Sequence, residues 1–489
     1  MKIYTIYSKT QYKILFNGIL HTMVEKRHTS TVHIVIFGAT GDLSRKKLLS
    51  SLFNLWRKGY VSKNIMITAF SRRDWTDEDY RSFAFEFLDS KNTHTSTHEQ
   101  KIKFLKRIHY HCGNFDNRES FVSLHKNLSH DESDLVLYYL ATPPSTYGDI
   151  FKNIQAVGLH TLSKKQTRIC IEKPFGSDQK TARKLGKNLA SMFKEEDIFR
   201  IDHYLAKDAL QNVLTFRFTN RLFENIWNKD GIEKVALRFF EKGGVENRAE
   251  FYDSVGALRD VGQNHILQML AMVAMQNPIE LTAERVRTER EKILSRLKIY
   301  TKNDIKKYAV RGQYIGYQKL PTIKRNSKTE TYFQVKTFLD DDNWRGVPFY
   351  MEGGKNFLEQ KVEIEITFRP IDPCVCGVHD HEKHKNTLLI KLAPDAGIDI
   401  VFWAKKPGVV FSIEKRKLSF RFDDLEGREK LPEAYETVLY EAIKGDSLLF
   451  TTSKEVESTW KFISPIVKHW NEVPLKKYKP EAKFPKEIV

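Results

Sequence analysis

Six apolar-rich residues, Val32-His33-Ile34-Val35-Ile36-Phe37, run without a spacer into Gly38-Ala39-Thr40-Gly41-Asp42-Leu43-Ser44, and an amphipathic stretch follows at once. Strand, tight glycine turn and helix in immediate succession form the opening unit of a doubly wound parallel sheet. The helix is expected over Leu43 to Lys58, closed by Gly59. The small residues Gly38, Thr40 and Gly41 let backbone approach a pyrophosphate, while N–H groups at the helix start, around Asp42 and Leu43, face its charge. A short glycine turn alone also closes strand–helix corners that bind nothing, so the next strand has to arbitrate. That strand, Ile65 to Phe70, ends in Ser71-Arg72-Arg73. An NAD enzyme would place an acid there against the ribose 2′-hydroxyl. The Arg72 guanidinium instead suits a 2′-phosphate by bidentate pairing, and together with the turn it favours NADP over a merely solvated strand end.

Up to about residue 200 short apolar runs alternate with amphipathic stretches, with further strands at Leu135 to Leu140 and Arg168 to Glu172. Beyond it the texture changes to long alternating runs, Lys234 to Glu241, Lys361 to Phe368, Thr387 to Leu392 and Ile398 to Ala404. Helices interrupt them at Ser254 to Met275 and Pro432 to Lys444. The expected fold class is α/β plus α+β: an N-terminal doubly wound, Rossmann-type parallel sheet and a larger C-terminal domain on a mostly antiparallel sheet. Three parts are expected: a poorly ordered extension over 1–30, an NADP-binding domain over 31–200, and a substrate-binding and dimerisation domain over 201–489.

With 489 residues, 41% of them hydrophobic, the chain has material for two cores. It contains no run of the ~18 uncharged apolar residues that a membrane-crossing helix needs, so no membrane partner is expected. Four cysteines make no disulfide framework and point to a reducing compartment, by default the cytoplasm. A formal net charge of +18 attracts anions. The charge does not say which anion: the basic residues lie scattered among acids, without the aromatic-interleaved stripe of a nucleic-acid binder, and phosphorylated metabolites fit equally well.

Two more strand ends lie where cofactor and substrate meet in such sheets, outside the carboxyl ends of the strands. One carries Ala141-Thr142-Pro143-Pro144-Ser145-Thr146-Tyr147, the other Glu172-Lys173-Pro174-Phe175-Gly176. Lys173, at a buried strand terminus before a stiff proline, reads better as a cofactor or substrate contact than as a surface charge. The segment Arg200-Ile201-Asp202-His203-Tyr204-Leu205-Ala206-Lys207 can cradle a phosphate through His203, Tyr204 and Lys207, although alone it would more often be a polar loop. Within the helix from Ser254, Asp260, Gln263, Asn264, His265 and Gln268 are too many polar groups for a plain core helix. A nearby carboxylate that orients His265 would make it a general base for a hydroxyl proton during hydride transfer.

These pieces resemble the glucose-6-phosphate dehydrogenase family. The resemblance covers nearly everything from Val32 to about Trp470, through GATGDLS, IEKPFG, RIDHYLAKD, YDSVGALRDVGQNHILQML, VPFYMEGGK and LPEAYETVLYEAIKGD. It implies oxidation of glucose 6-phosphate at C1 to the lactone with NADP, the first oxidative step of the pentose phosphate pathway. It further implies that His265 accepts the C1 hydroxyl proton and that Asp202 is its carboxylate partner. His203, Tyr204 and Lys207 would bind the 6-phosphate, Glu241, Asp260 and Lys355 the sugar hydroxyls, and Lys173 would bridge cofactor and substrate. Gly38, Thr40, Gly41, Asp42, Leu43, Arg72, Pro143, Tyr147 and Glu172 would line the cofactor, and the assembly would be a homodimer or a dimer of dimers. Ala206 and Asp208 depart from the family's usual ending of the RIDHYLAKD motif without touching the phosphate ligands. Gln360, where the family often has a basic residue, and Ala393, where glutamine commonly precedes the proline, affect sugar affinity rather than the reaction.

One loop stands outside that pattern. Cys374, Cys376, His379, His381 and His384 supply soft and imidazole ligands within a few residues, enough for a structural zinc clip, although the spacing is not the usual zinc-finger one and a solvated hairpin tip is the plainer reading. Two other functions compete with the leading one: an NAD(P) oxidoreductase of a different sugar or cyclitol, and a basic nucleic-acid binder. The second leaves the glycine turn and the histidine helix without a purpose.

Overall fold

The computed structural model describes residues 31–88, 96–162, 165–371, 384–422 and 432–483. The N-terminal extension and the ligands Cys374, Cys376, His379 and His381 of the suggested zinc clip lie outside them. His384 is described, its ring edge-on to Trp403 with centroids 4.5 Å apart.

Sixteen strands are described. In chain order they are β1 (Val32–Phe37), β2 (Met66–Ser71), β3 (Ile108–Cys112), β4 (Leu135–Leu140), β5 (Gln166–Glu172), β6 (Ile198–Ile201), β7 (Ile232–Phe240), β8 (Ala309–Tyr314), β9 (Tyr332–Thr337), β10 (Phe349–Gly354), β11 (Lys361–Phe368), β12 (Thr387–Ala393), β13 (Gly397–Lys405), β14 (Ile413–Arg421), β15 (Phe450–Thr451) and β16 (Leu475–Tyr478). The first sheet has seven strands in the order β15-β6-β5-β4-β1-β2-β3. From β6 to β3 every neighbour is parallel. β1 and β4 are buried at every position, which is why both read as apolar runs, interrupted in β1 only by His33. The chain reverses its direction of growth at β1, flanked by β4 and β2, so the carboxyl ends of these strands open one crevice.

The second sheet has nine strands in the order β14-β13-β12-β11-β7-β10-β9-β8-β16. Its pairs are antiparallel except β7 with β10 and β8 with β16. The parallel β7–β10 pair matters for the site, because residues following the two strands emerge side by side.

The sheets are not two separate stretches of sequence. β15 joins the open edge of β6 antiparallel, with Phe450 opposite Ile201, so a strand near the chain's end completes the first sheet. The helix Ser453–Lys468 follows it, and Trp460 donates its indole N–H to the Phe175 carbonyl at 3.1 Å. Arg290 and Glu455, neither exposed to solvent, pair at 2.8 Å between two helices of the second half.

The stretch expected as one helix from Ser254 to Met275 is three pieces. The helix Ala249–Ala257 contains Gly256 at φ 75°, ψ 167°, a conformation that breaks the helix. A π-helical segment, Leu258–Ile266, and the helix Leu267–Ala274 follow. The wider turn carries Asp260 and His265, in keeping with the frequent occurrence of π turns at functional sites.

Candidate active site

Parallel strands place their sequels together. Gly38 follows β1, Arg72 follows β2, Ala141 follows β4, Lys173 follows β5 and Asp202 follows β6, all at one edge of the first sheet. The π-helical segment from the second half reaches the same edge and brings His265 to Asp202.

The glycine turn is tight. Gly38 has φ +82°, and a Cβ there would lie 2.7 Å from Thr142 Cγ2 and 2.8 Å from the Ala141 carbonyl oxygen. The Gly38 and Ala39 N–H groups both donate to the Phe70 carbonyl, at 3.0 and 3.2 Å, which ties the turn to the end of β2. Thr40 and Ser71 hydroxyls meet at 2.8 Å. Asp42 is exposed and pairs with Arg45 and Lys46 on its own helix. Leu43 is half-buried, Arg72 and Pro143 are exposed, and Tyr147 is buried with its hydroxyl donated to the Glu172 carbonyl at 3.1 Å. A backbone cradle that a side chain would fill, with a guanidinium at the neighbouring strand end, fits a dinucleotide carrying an extra phosphate.

His265 and Asp202 are 2% and 1% exposed and share a 2.5 Å hydrogen bond from His265 Nδ1 to Asp202 Oδ1. Burial lowers the His265 pKa against the pull of Asp202, so the ring is neutral near pH 7. Burial pushes Asp202 upward, but the His265 and His203 rings and the Tyr204 N–H hold it at about 2. The carboxylate therefore accepts from Nδ1–H and leaves the other ring nitrogen, Nε2, with a lone pair. Phe239, near the end of β7, stacks on the imidazole at 5.5 Å and 14°.

His203, Tyr204 and Lys207 gather beside that pair. Tyr204 lies 4.4 Å and His203 5.0 Å from the His265 ring, centroid to centroid, and Lys207 Nζ sits 4.1 Å over the Tyr204 ring. Burial lowers Lys207 to about 8 and, reinforced by the charge of neighbouring cations, His203 to about 3. Ligand atoms of Asp202, His203 and His265 come within 4.8 Å of one another. A metal there would take the lone pair that makes His265 a base.

Lys173 Nζ donates to the Asp260 carbonyl at 2.8 Å and lies 3.5 Å from its carboxylate. Lys355 Nζ stands 3.0 Å from the other Asp260 oxygen and also bonds Glu241. Glu241 and Lys355 meet because they follow Phe240 and Gly354, which are register partners in the parallel β7–β10 pair. Burial opposes ionisation of Asp260, and Lys173, Lys355 and Arg248 outweigh it, holding the carboxyl well below its usual range. Two lysines and two carboxylates thus present fixed donors and acceptors of the kind that recognise sugar hydroxyls. The seven residues expected at the substrate and the His–Asp pair all come together.

Sequence reasoning missed Phe239, Tyr139 and Tyr435. Tyr139 donates to Glu172 Oε1 at 2.5 Å, and the Tyr435 ring lies nearly parallel to His203, 5.9 Å away. Burial raises Glu172 to about 7, against the hydrogen bonds of Tyr139 and Tyr435. Tyr435 stands in the LPEAYETVLYEAIKGD motif, but no spacing rule placed that motif beside His203. A cavity of about 710 Å³ adjoins Tyr147, Pro174 and Arg259 and contains neither His265 nor Asp202 in its lining.

Residues 35–212 match the family model for the glucose-6-phosphate dehydrogenase NAD binding domain, and residues 214–489 match that for the C-terminal domain. The chain belongs to the glucose-6-phosphate dehydrogenase family. The glucose-6-phosphate 1-dehydrogenase of Borreliella burgdorferi is 40% identical over 478 residues, 95% of this chain and 97% of that one. The cytoplasmic glucose-6-phosphate 1-dehydrogenase 6 of Arabidopsis thaliana is 34% identical over 472 residues, 94% and 90% of the two chains. A glucose-6-phosphate dehydrogenase solved in complex with its substrate glucose-6-phosphate superposes with TM-score 0.87 at 32% identity, covering 95% of this chain and 97% of that chain. The glucose-6-phosphate dehydrogenase family explains the pairing of a nucleotide-binding sheet with a large mostly antiparallel one.

Proposed function

We propose that the chain is an NADP-dependent glucose-6-phosphate 1-dehydrogenase, oxidising D-glucose 6-phosphate at C1 to 6-phospho-D-glucono-1,5-lactone. The observation that carries this reading is the buried His265–Asp202 hydrogen bond at the carboxyl edge of a nucleotide-binding sheet. NADP, when bound, supplies the hydride acceptor. The protein's part is proton transfer and positioning. Neutral His265 takes the C1 hydroxyl proton at Nε2 while the C1 hydrogen leaves as hydride, and Asp202 stabilises the imidazolium through Nδ1–H. His203, Tyr204 and Lys207 hold the 6-phosphate, a dianion of which the Lys207 ammonium offsets one charge. Glu241, Asp260 and Lys355 hold the sugar hydroxyls, and Lys173 spans from Asp260 toward the cofactor.

Gly38, Thr40, Gly41, Asp42 and Leu43 would hold the pyrophosphate, Arg72 the 2′-phosphate, and Pro143, Tyr147, Glu172 and Lys173 would hold the remainder of the cofactor toward the sugar site. The division into 31–200 for cofactor and 201–489 for substrate and dimerisation describes these roles, with β15 as the exception. Exposed Val410, Phe411, Leu418 and Phe420, on or beside the outer strand β14, support a homodimer or dimer of dimers built on the nine-stranded sheet. Among the described residues no helix is long and apolar enough to cross a membrane. The free thiols of Cys112 and Cys170 support a cytoplasmic setting, and nucleic acid is not an expected partner.

The test is NADPH absorbance with glucose 6-phosphate, run beside NAD and unphosphorylated glucose. His265→Asn is expected to lower kcat by about 10²- to 10⁴-fold while the binding constant for the sugar phosphate changes little. Near-parental turnover in that variant would refute the general-base role.

A further inference from the structure

The π-helical segment that carries Asp260 and His265 has no side-chain cap from its own sequence neighbours. The first N–H groups of a helix need acceptors from elsewhere. Here a single distant residue supplies two. The Ala257 N–H donates to the Glu330 carbonyl at 3.1 Å, and the Leu258 N–H donates to Glu330 Oε1 at 3.1 Å. Glu330 is 5% exposed. Its carboxyl oxygen fills the space left at Gly256, where a Cβ would lie 2.4 Å from Oε1. The helix break at Gly256 and the side chain at 330 are therefore halves of one joint.

The same short segment holds the other side of the sugar site. Thr331, adjacent to Glu330, accepts the Lys355 backbone N–H at 2.9 Å. Ser327 and Thr329 stitch it to the preceding helix through the Asp253 carboxylate and carbonyl, at 2.5 and 2.6 Å. Two residues beyond Leu258 stands Asp260, whose carboxylate meets Lys355 Nζ at 3.0 Å and whose carbonyl receives Lys173. Residues 330 and 331 thus hold the backbone on both sides of the Asp260–Lys355 contact.

We propose that Glu330 is a positioning residue that caps the Leu258–Ile266 segment from outside and sets the spacing of Asp260 against Lys355 and Lys173, thereby fixing affinity for the sugar phosphate. This rests on the assignment of Asp260 and Lys355 to the sugar hydroxyls. Loss of the acceptor lets the first turn fray and Asp260 drift, while the glycine turn at Gly38 is untouched.

The experiment compares steady-state constants of purified full-length Glu330→Ala, Glu330→Gln and Glu330→Asp with the parent. In Glu330→Ala the KM for glucose 6-phosphate is expected to rise about tenfold, the cost of a lost cap, with the KM for NADP, which rests mainly on the Gly38 turn, rising by clearly less. Glu330→Gln keeps an acceptor oxygen at the same reach and is expected to recover most of the loss, and Glu330→Asp to fall between. Should the alanine variant fail to fold, the glutamine and aspartate variants carry the same comparison. A parental sugar KM in Glu330→Ala, or a KM for NADP that rises in step with it, overturns the proposal. Absence of glucose 6-phosphate oxidation by the parent itself would instead strike the functional assignment, so the two failures are distinguishable.

Discussion

Protonation at His265 is decided by opposing pulls of unequal size. Burial disfavours the imidazolium, Asp202 favours it, and the balance leaves the pKa below the ordinary 6.5. A base that must be neutral to act then works at neutral pH and loses activity only as pH falls through that lowered value. Replacing Asp202 by Asn removes the favourable contribution, so the acid limb of kcat/KM is expected to move to lower pH while kcat falls by about 10²- to 10⁴-fold. A pH–rate profile of both proteins checks this, and an acid limb displaced upward would contradict the assignment. The sequence displayed this pair separately, an acid in a short polar segment and a histidine on an otherwise apolar helix. It could not display Phe239 or Tyr435, ordinary aromatic residues whose contacts with His265 and His203 exist only once strands and helices have packed.

Elements differed in legibility for reasons of burial. β1 and β4, covered on both faces, carry no polar interruption beyond His33, which bonds Asp131 and Thr68. β3 is an edge strand whose sequence, IHYHC, has no such run, and β14 interrupts any alternation with Lys415, Arg416 and Lys417. β15 is two residues long and has no pattern to read. The break at Gly256 was present as a glycine within a helical pattern, but its partner Glu330 lies far along the chain. The glycine turn was fully legible because its geometry is local. There Gly38→Ala places a methyl group 2.7 Å from Thr142 Cγ2 at positive φ. The KM for NADP is expected to rise at least about tenfold, with the sugar constant little changed. An unaltered cofactor constant would show that the turn does not approach a nucleotide.

At the scale of the whole molecule, the outer strand β14 exposes Leu418 at 60% and Phe420 at 43%. Large exposed apolar side chains at a sheet edge are an aggregation hazard unless another chain covers them. The double substitution Leu418→Asp with Phe420→Asp is expected to convert an oligomer to monomer in sedimentation or light scattering, and an unchanged mass would exclude this face as the interface. Both domain textures were visible in the sequence, as a change from short buried runs to long alternating ones. Their interlacing was not, since β15 pairs with β6 across a wide separation that no local signal records.

That lacing bears on how the molecule comes into being. A nascent chain emerging from the ribosome carries β6 with one side of its backbone unsatisfied until Phe450 has been made, so the nucleotide-binding half cannot finish on its own schedule. A stop between β6 and that point would release a fragment with an unpaired flank, and the last stretch of synthesis acts as the latch on the first.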